Sequence, residues 1–254
     1  MILTMGTDHF TPLAAQYKSF RPAYPDELFD WLASIAPQRK LAWDCGAGNG
    51  QATIPLASRF ELVLGTDISA AQLASAQSLA NVEYRVMPAE TSGLPDHSAD
   101  IVTVAQALHW FDLPKFYAEV RRVLKPQGII AAWGYNRLQI DHAGLQQVLD
   151  RFYDETIGAY WPPERVHVEN NYQDLAFPFT RISPPPFALH KEWPREHLLG
   201  YLRSWSAVGK FQAANGFDPV SELADEISAY WQEGKTYRIE WPLFMHVGRM
   251  DQGL

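Results

Sequence analysis

Three glycines alternate with other residues in the segment DCGAGNG, residues 44–50, directly after a short apolar run. Gly46, Gly48 and Gly50 carry no side chain, so a turn of this kind lets a ligand approach the backbone closely. A triphosphate-binding loop ends in Gly-Lys-Ser/Thr, and this loop contains no lysine. The dinucleotide fingerprint G-x-G-x-x-G places its third glycine differently. The segment therefore predicts a binding loop but does not fit either phosphate-binding pattern.

Two acidic residues end the predicted first and second strands. Asp44 precedes the first glycine, where its carboxylate would repel a pyrophosphate and attract the ammonium of an amino acid. Asp67 follows about 20 residues later, where a carboxylate can accept hydrogen bonds from ribose hydroxyls. S-adenosylmethionine has an ammonium, a cationic sulfonium and a ribose but no phosphate. The pair therefore favours this ligand, although Asp67 alone does not separate it from NAD and could instead assist the cap of the next helix.

These residues need a scaffold, and the first 135 residues alternate helix-like and strand-like patterns. Apolar residues at helical spacing predict helices over residues 25–37, 51–60, 67–80 and 112–128. Apolar runs predict strands over residues 40–45, 61–67, 81–87, 100–108 and 128–135. Ser69 and Gln72 have capping-box spacing, and Ile68 and Leu73 can form the accompanying hydrophobic staple. The alternation predicts an α/β fold with a doubly wound parallel sheet and helices on both faces.

The second half has a different pattern. Helix-like patches cover residues 145–157, 195–205 and 219–231, and residues 187–193 could form a strand. A final strand over residues 237–249 is expected at or near the sheet edge, because Pro242 cannot donate to a ladder. The predicted organisation is a cofactor-binding core with an N-terminal lid segment, a substrate cap region that includes one sheet strand, and a final strand, over residues 1–135, 136–235 and 236–254.

Composition narrows the partners and the setting. The net charge of −8 argues against a nucleic-acid partner, because phosphate backbones require a basic face. Cys45 is the one cysteine, which suits a reducing cytoplasm. The sequence shows no signal peptide and no apolar run of the roughly 18 residues that a membrane span requires. We expect a cytoplasmic monomer or homodimer with a small-molecule substrate, no membrane association and no metal.

Several motifs together resemble a known family. DCGAGNG, GTDIS, MPAETSGLPDHSADIVTVAQALHWFD and VRRVLKPQGIIAAW are similar to the successive motifs of class I S-adenosylmethionine-dependent methyltransferases, in the small-molecule branch often called type 11. YKSFRPAYP, residues 17–25, resembles the opening of its trans-aconitate methyltransferase-like members. The similarity is looser beyond residue 136. It implies a Rossmann-like, mostly parallel seven-stranded sheet with a helical cap insertion.

The resemblance also implies how the glycine loop binds the cofactor, S-adenosyl-L-methionine. Gly46, Gly48 and Gly50 would line its methionine half. Asp44 would attract its ammonium, directly or through water, and Asp67 would accept hydrogen bonds from the ribose hydroxyls.

Five further residues complete the cofactor site that the resemblance implies. Ala89 and Glu90 would read the polar edge of the adenine, and Gln106 would face the methionine portion near the reacting centre. Tyr17 and Arg21 would close over the cofactor, with the Tyr17 ring favouring the sulfonium by cation–π attraction. Glu90 could instead be a solvated acid at a helix start, and Tyr17 could pack against neighbouring aromatic residues.

Methyl transfer is an in-line displacement in which the protein mainly holds the acceptor in place and excludes water. His109, in QALHW, is the candidate base near the end of the fourth strand. A role in shaping the pocket wall and positioning a ligand is favoured for both His109 and Trp110. A carboxylate acceptor would need no base, because it is ionised at neutral pH.

A carboxylate acceptor would call for a guanidinium in the cap region, since arginine binds carboxylates in bidentate fashion. Arg203 is the first choice, beside Trp205 in the most family-like part of that region. Arg137, Lys210 and Arg238 are the other candidates, and a surface role is the default for each.

The sequence therefore favours a methyltransferase acting on a small molecule, with a carboxylic acid among the candidate acceptors. A non-catalytic S-adenosylmethionine-binding protein and an NAD-dependent oxidoreductase remain alternatives. Methylation of nucleic acid or protein is disfavoured. The Asn/Asp-Pro-Pro-Tyr/Phe motif of amino-group methylases does not follow the fourth strand, where AQAL stands instead.

Overall fold

A computed structural model describes residues 22–250 of the chain. Tyr17 and Arg21 lie outside the described residues. The strands are β1 (Leu41–Cys45), β2 (Leu62–Asp67), β3 (Val82–Val86), β4 (Ala99–Ala105), β5 (Leu124–Tyr135), β6 (Gln139–Ile140), β7 (Thr180–Ile182), β8 (Ala188–Pro194) and β9 (Thr236–Arg249). The α-helices are α1 (Asp26–Ile35), α2 (Thr53–Ala57), α3 (Ala70–Ala74), α4 (Leu113–Val123), α5 (Ala143–Arg151), α6 (Arg165–Glu169), α7 (Arg195–Arg203), α8 (Ser206–Asn215) and α9 (Pro219–Ser228).

The described chain divides into two compact units. The sheet unit contains Pro22–Leu138, Pro163–His190 and the chain from Glu240 onward. The helical unit contains Gln139–Pro162 and Lys191–Ile239. The segment Pro163–His190, which the sequence places in the cap region, belongs by its contacts to the sheet unit.

The sheet has the doubly wound order that the alternating pattern predicts. Its path runs β3-β2-β1-β4-β5-β9 through the sheet unit, and the four pairings from β3 to β5 are parallel. β9 pairs with β5 in antiparallel register. The strands expected from sequence are all present, and the short β6 and β7 also pair with β9, which gives a nine-stranded sheet in the described residues. The α/β, Rossmann-like fold class is therefore confirmed.

The last strand lies near the sheet edge, as expected, but it is not the edge strand itself. β9 lies between β5 on one side and β6, β7 and β8 on the other. Pro242 is tolerated there because the β5–β9 register ends at Tyr135 opposite Leu243, one residue short of the proline. The Leu243 N–H donates the other way, to the Phe187 carbonyl at 2.9 Å. The missing proline donor therefore falls just beyond the ladder.

The core of the sheet unit forms where α4 covers β4 and β5. Asp112 caps α4 by accepting the Lys115 N–H, and Pro114 stands in the first turn. Phe116, Val120 and Val123 are completely buried in one cluster with the strand residues. Burial of a side chain of this size contributes about 1.5–3 kcal/mol. This packing holds the carboxyl ends of β1 and β4 in place.

The helical unit has a core of aromatic rings. Trp205, at the start of α8, packs its ring against Tyr153, Trp161 and Tyr201 with centroid separations of 5.6–5.7 Å. Across residues 22–250, no helix is both long and apolar enough to span a bilayer.

Candidate functional site

The strand order reverses at β1, which has β2 on one side and β4 on the other. In an open α/β sheet, the carboxyl edge at such a reversal is where ligands bind. The glycine loop follows β1, Asp67 ends β2, and Gln106 comes directly after β4. The sheet therefore brings together at this edge residues that are distant in sequence.

The three loop glycines face different surroundings. All have positive φ, at 70° for Gly46, 54° for Gly48 and 86° for Gly50. A Cβ on Gly46 would lie 2.6 Å from the Ala107 Cβ, and one on Gly50 would lie 2.5 Å from the Tyr84 hydroxyl. A Cβ on Gly48 would meet no heavy atom within 4 Å. Packing thus explains Gly46 and Gly50, whereas Gly48 borders open space that a ligand can approach.

The backbone N–H groups of the loop are already engaged within the protein. A phosphate-binding loop leaves such groups for the anion. Here four of them donate internally, from Gly46 and Ala47 to the Thr66 carbonyl, from Gly48 to Asp67 Oδ2 and from Gly50 to the Ala47 carbonyl, at 2.8–2.9 Å. The geometry disfavours a dinucleotide pyrophosphate and suits a ligand whose nearest groups are not phosphates.

Asp44 is buried and ties three elements together. Thr53, the first residue of α2, donates to Asp44 Oδ2 at 2.6 Å, and Thr103 of β4 donates to Oδ1 at 2.8 Å. Burial raises the pKa of Asp44 from 3.8 to about 6, although the two hydroxyls oppose the rise. Its carboxylate therefore fixes the loop. Its role toward a cofactor ammonium stays a prediction.

This burial predicts a pH dependence of stability. Below pH 3.8 the Asp44 carboxyl holds its proton in both folded and unfolded chains. As pH rises toward 6, the unfolded chain releases the proton first, so the raised pKa costs about 3 kcal/mol of stability at neutral pH. Asp44→Asn is expected to remove this loss, since an amide can serve both threonine hydroxyls.

Urea unfolding of the wild type and Asp44→Asn at pH 4.5 and 7.5 checks this expectation. The stability of the variant relative to the wild type should rise by about 2 kcal/mol between the two pH values. A constant difference would show that Asp44 has an ordinary pKa in the folded chain.

Asp67 holds the other side of the loop. Its Oδ2 accepts the Gly48 N–H and its Oδ1 accepts the Ser69 N–H, each at 2.8 Å. The Asp67 side chain is partly exposed. Ser69 also caps α3 as expected, accepting the Gln72 N–H at 3.4 Å. Asp67 is therefore held in place by the backbone, and its role toward a ribose stays a prediction.

Several carboxylates give this edge a negative field. Burial raises the pKa of the Cys45 thiol, and three nearby carboxylates raise it further, those of Asp44, Glu90 and Asp67. Such a field strengthens the binding of a cationic ligand and weakens the binding of a polyphosphate. Among residues 22–250, no cluster of three or more His, Cys, Asp or Glu side chains could hold a metal ion.

Two apolar side chains beside Asp67 are exposed. Ile68, which the staple would bury against Leu73, is 61% exposed, and Val86 is 58% exposed. Val86 lies opposite Asp67 in the β2–β3 register. Sequence reasoning singled out neither residue as a candidate for the site. An apolar residue directly after the strand-ending acid was the available signal.

The segment after β3 follows the same edge. Ala89 is buried at 7% exposure and belongs to the core cluster. Glu90 is half-buried, and its Oε1 accepts the Asp112 N–H at 3.0 Å. Glu90 thereby supports the residue that caps α4, so it is not simply a solvated acid.

Gln106 has a strained backbone with φ of 56°. Its N–H donates to the Trp133 carbonyl at 2.8 Å and its Nε2 to the Tyr135 carbonyl at 3.0 Å. A Cβ on Gly134 would lie 2.9 Å from Gln106 Oε1, so the glycine leaves room for this amide. Left-handed backbone at a non-glycine residue is typical of functional sites.

His109 and Trp110 lie in a short 3-10 turn, Leu108–Trp110, after β4. Their ring centroids are 4.8 Å apart. The His109 Nδ1 is 2.8 Å from the Tyr172 hydroxyl, a partner that the sequence did not indicate. Burial lowers the pKa of His109 to about 3, and the positive charges of Arg165 and His167 add to the effect. The ring is therefore neutral at physiological pH.

The two predicted substrate residues belong to the helical unit. Arg203 donates from Nε to Asp218 Oδ2 at 2.7 Å, and its side chain is 42% exposed. Trp205 is buried at 8% exposure in the aromatic core of that unit. Core packing accounts for Trp205, and the partly exposed guanidinium of Arg203 is still accessible.

Comparison with known proteins supports one family. Residues 43–132 match a family described as a methyltransferase domain. A Dictyostelium discoideum protein named as a methyltransferase is 36% identical over 255 residues, covering 98% of this chain and 97% of the relative. A solved Anaeromyxobacter dehalogenans structure, titled as a type II methyltransferase, has 43% identity and a TM-score of 0.87, covering 92% of this chain and 100% of that one.

A more distant structure shows the same fold. It is an N-methyltransferase of Haemonchus contortus in complex with S-adenosylhomocysteine and phosphomonomethylethanolamine, with 18% identity, a TM-score of 0.50 and coverage of 97% of this chain and 58% of that one. The doubly wound sheet, the glycine loop and the full-length similarity to the Dictyostelium protein lead to one assignment. The chain belongs to the class I S-adenosylmethionine-dependent methyltransferases.

Proposed function

We propose that the chain methylates a small molecule and that its acceptor is a carboxylic acid, in keeping with the trans-aconitate methyltransferase-like resemblance of the N-terminal segment. The observation that carries this proposal is the state of His109. Its ring is half-buried and hydrogen-bonded through Nδ1 to Tyr172, and its pKa is lowered to about 3. So weak a base removes few protons at neutral pH. A carboxylate requires no deprotonation, whereas a phenol or alcohol would.

The residues of the carboxyl edge fit S-adenosylmethionine group by group. In the proposed arrangement Asp67 accepts hydrogen bonds from the ribose, and Ile68 and Val86 cover the faces of the adenine. Glu90 reads the adenine edge, and the negative field that includes Asp44 favours the ammonium and the sulfonium. The exposure of Ile68 and Val86 supports this arrangement, since ligand sites combine apolar side chains with a few polar groups.

In this proposal the protein positions the two reactants and need not activate the methyl group. S-adenosylmethionine, when bound, supplies a methyl group already activated by positive sulfur. Gln106 and the loop around Gly48 would orient the methionine half. His109 and Trp110 would form a wall that excludes water and aligns the acceptor. Rate enhancement would come from proximity and orientation, which can contribute about 7–11 kcal/mol.

A screen of acceptors tests the proposal. The purified chain is incubated with methyl-labelled S-adenosylmethionine and panels of small di- and tricarboxylic acids, phenols and amines. We expect labelled methyl esters from at least one acid. Turnover confined to phenols or amines would overturn the carboxylate proposal. Cofactor binding without turnover on a broad metabolite pool would favour the non-catalytic alternative.

Arg203 is proposed as the guanidinium that binds the acceptor carboxylate. Arg203→Ala is expected to raise the KM for the acceptor about 10-fold, with little change in cofactor affinity. Asp218→Asn is the matched control, because it removes the same ion pair but keeps the guanidinium. The control should leave KM unchanged or lower it. Equal KM changes in the two variants would assign Arg203 to a structural role.

A further inference from the structure

The buried Tyr172 hydroxyl and the half-buried His109 ring form a pair within the sheet unit. The hydroxyl is 2.8 Å from His109 Nδ1. Tyr172 is completely buried, and its ring packs edge-on against Phe244 with centroids 5.0 Å apart. The other face of the pair is set by Trp110, whose ring lies against His109. The His109 ring is therefore held on two sides and is only partly exposed.

Tyr172 is held there at a cost in backbone energy. Its φ is 58° and that of Asn171 is 54°. A left-handed conformation costs a residue with a side chain about 1–2 kcal/mol. Two side chains from the sheet fix the turn. Asn136 Nδ2 donates to the Val168 carbonyl at 3.0 Å and to Asn171 Oδ1 at 2.9 Å, and His246 Nε2 bonds the Asn171 carbonyl at 2.8 Å. These hydrogen bonds hold the strained turn and so fix the position of the Tyr172 hydroxyl.

The direction of the hydrogen bond fixes the tautomer of His109. A buried hydroxyl whose proton lacks an acceptor costs about 1–3 kcal/mol. In the described chain, His109 Nδ1 is the acceptor that the Tyr172 hydroxyl meets. Burial raises the pKa of Tyr172, so the phenol keeps its proton. The phenol therefore donates to Nδ1, and the proton of the neutral imidazole resides on Nε2.

We propose that Tyr172 is a positioning residue that holds His109 as an Nε2–H donor to a lone-pair-bearing oxygen of the methyl acceptor. This inference rests on the proposed function and adds to it, since it gives His109 a contact opposite in kind to that of a base. The groups that face His109 support the neutral ring: Arg165 and His167 on α6 carry or can carry positive charge, and Tyr172 is neutral.

Nitrogen-15 NMR of the imidazole rings tests the tautomer without any ligand. The signals of His109 are identified by their loss in His109→Gln. We expect the wild-type ring to show protonated Nε2 and unprotonated Nδ1 from pH 5 to pH 9. In Tyr172→Phe the ring should become a mixture of tautomers. Tyr117→Phe is the control, because it removes a phenol in the same core that donates to the Ala176 carbonyl. A wild-type ring protonated at Nδ1, or unchanged signals in Tyr172→Phe, would overturn the inference.

Kinetics with the acceptor identified by the screen test the donor role. A glutamine amide can place an N–H near the position of Nε2, whereas the shorter asparagine amide reaches only the position of Nδ1. His109→Gln should keep kcat within about 5-fold of the wild type, and His109→Asn should lose about 30-fold, the worth of a hydrogen bond to a charged group. Equal losses in both variants would indicate a base and contradict the proposal.

The two proposals fail in different ways. A wild-type chain that does not bind S-adenosylmethionine in calorimetry refutes the proposed function, whatever the tautomer. A chain that binds the cofactor and methylates an acid, but has a His109 ring protonated on Nδ1, refutes the inference alone.

Discussion

Asp67→Ala is expected to raise the dissociation constant for S-adenosylmethionine about 100-fold, and that for S-adenosylhomocysteine similarly. Two hydrogen bonds from ribose hydroxyls to a carboxylate contribute roughly 3 kcal/mol together. Both ligands carry the ribose, so a ribose contact must affect both. A sulfonium contact would discriminate between them, because S-adenosylhomocysteine has a neutral thioether in its place. Titration calorimetry with each ligand measures the two constants.

The same carboxylate also organises the loop, so the variant requires a control. Asp100 is buried and likewise accepts two backbone N–H groups, from Lys40 and Leu41, at 2.8 and 2.9 Å. It lies at the opposite, amino end of β1. Asp67→Asn and Asp100→Asn therefore both replace a carboxylate by an amide beside one end of β1, and Asp100→Asn also removes the ion pair with Lys125 at 2.8 Å.

Only the change at Asp67 should weaken cofactor binding. We expect about a 10-fold weaker affinity in Asp67→Asn, which keeps one acceptor oxygen, and no change in folded Asp100→Asn. Thermal unfolding monitors the fraction folded in each variant. An unchanged dissociation constant in folded Asp67→Ala would remove the ribose role from this residue.

The parts of the fold that could be predicted are the elements with a clear local sequence pattern. β1, predicted over residues 40–45, occupies Leu41–Cys45, and β2, predicted over residues 61–67, occupies Leu62–Asp67. Strands buried on both faces have continuous apolar sequences, so they can be recognised from the sequence alone. α3 is shorter than predicted and ends at Ala74. The Ser75 hydroxyl bonds back to the Gln72 carbonyl, and this local contact competes with the helix.

The parts that could not be predicted depend on contacts between distant residues. His109 and Tyr172 are 63 positions apart, and nothing in either neighbourhood indicates the other. The low pKa of His109 arises from burial and from charges on α6. Local spacing therefore located a histidine after β4, but it could not reveal the Tyr172 contact or the lowered pKa of the ring.

Ile68 shows the converse case, in which a local rule predicts burial and the side chain is exposed. The staple rule predicts burial against Leu73, yet the side chain is 61% exposed. A residue directly after Asp67 lies beside any ligand that Asp67 binds. Exposed apolar surface at that position has a simple explanation if the adenine covers it, as we propose.

The largest effects on stability are expected in the glycine loop, where Gly46→Ala and Gly48→Ala should separate folding from binding. In Gly46→Ala the new Cβ would lie 2.6 Å from the Ala107 Cβ and 3.2 Å from the Phe111 ring, at a φ of 70°. Left-handed strain and overpacking together should cost at least about 3 kcal/mol of unfolding free energy. In Gly48→Ala the new Cβ meets open space, so the unfolding free energy should fall only by the left-handed strain, about 1 kcal/mol.

The effect on cofactor affinity should be larger in Gly48→Ala than in folded Gly46→Ala. Gly48 borders the space proposed for the methionine half, so Gly48→Ala should weaken cofactor affinity at least about 10-fold while the chain stays folded. Urea unfolding and calorimetry on each variant measure the two effects. The double variant Gly46→Ala/Ala107→Gly removes the clashing methyl and should recover part of the stability lost in Gly46→Ala. Full affinity in Gly48→Ala would exclude this glycine from the cofactor site, and a Gly46→Ala chain as stable as the wild type would contradict the close packing of the loop against the segment after β4.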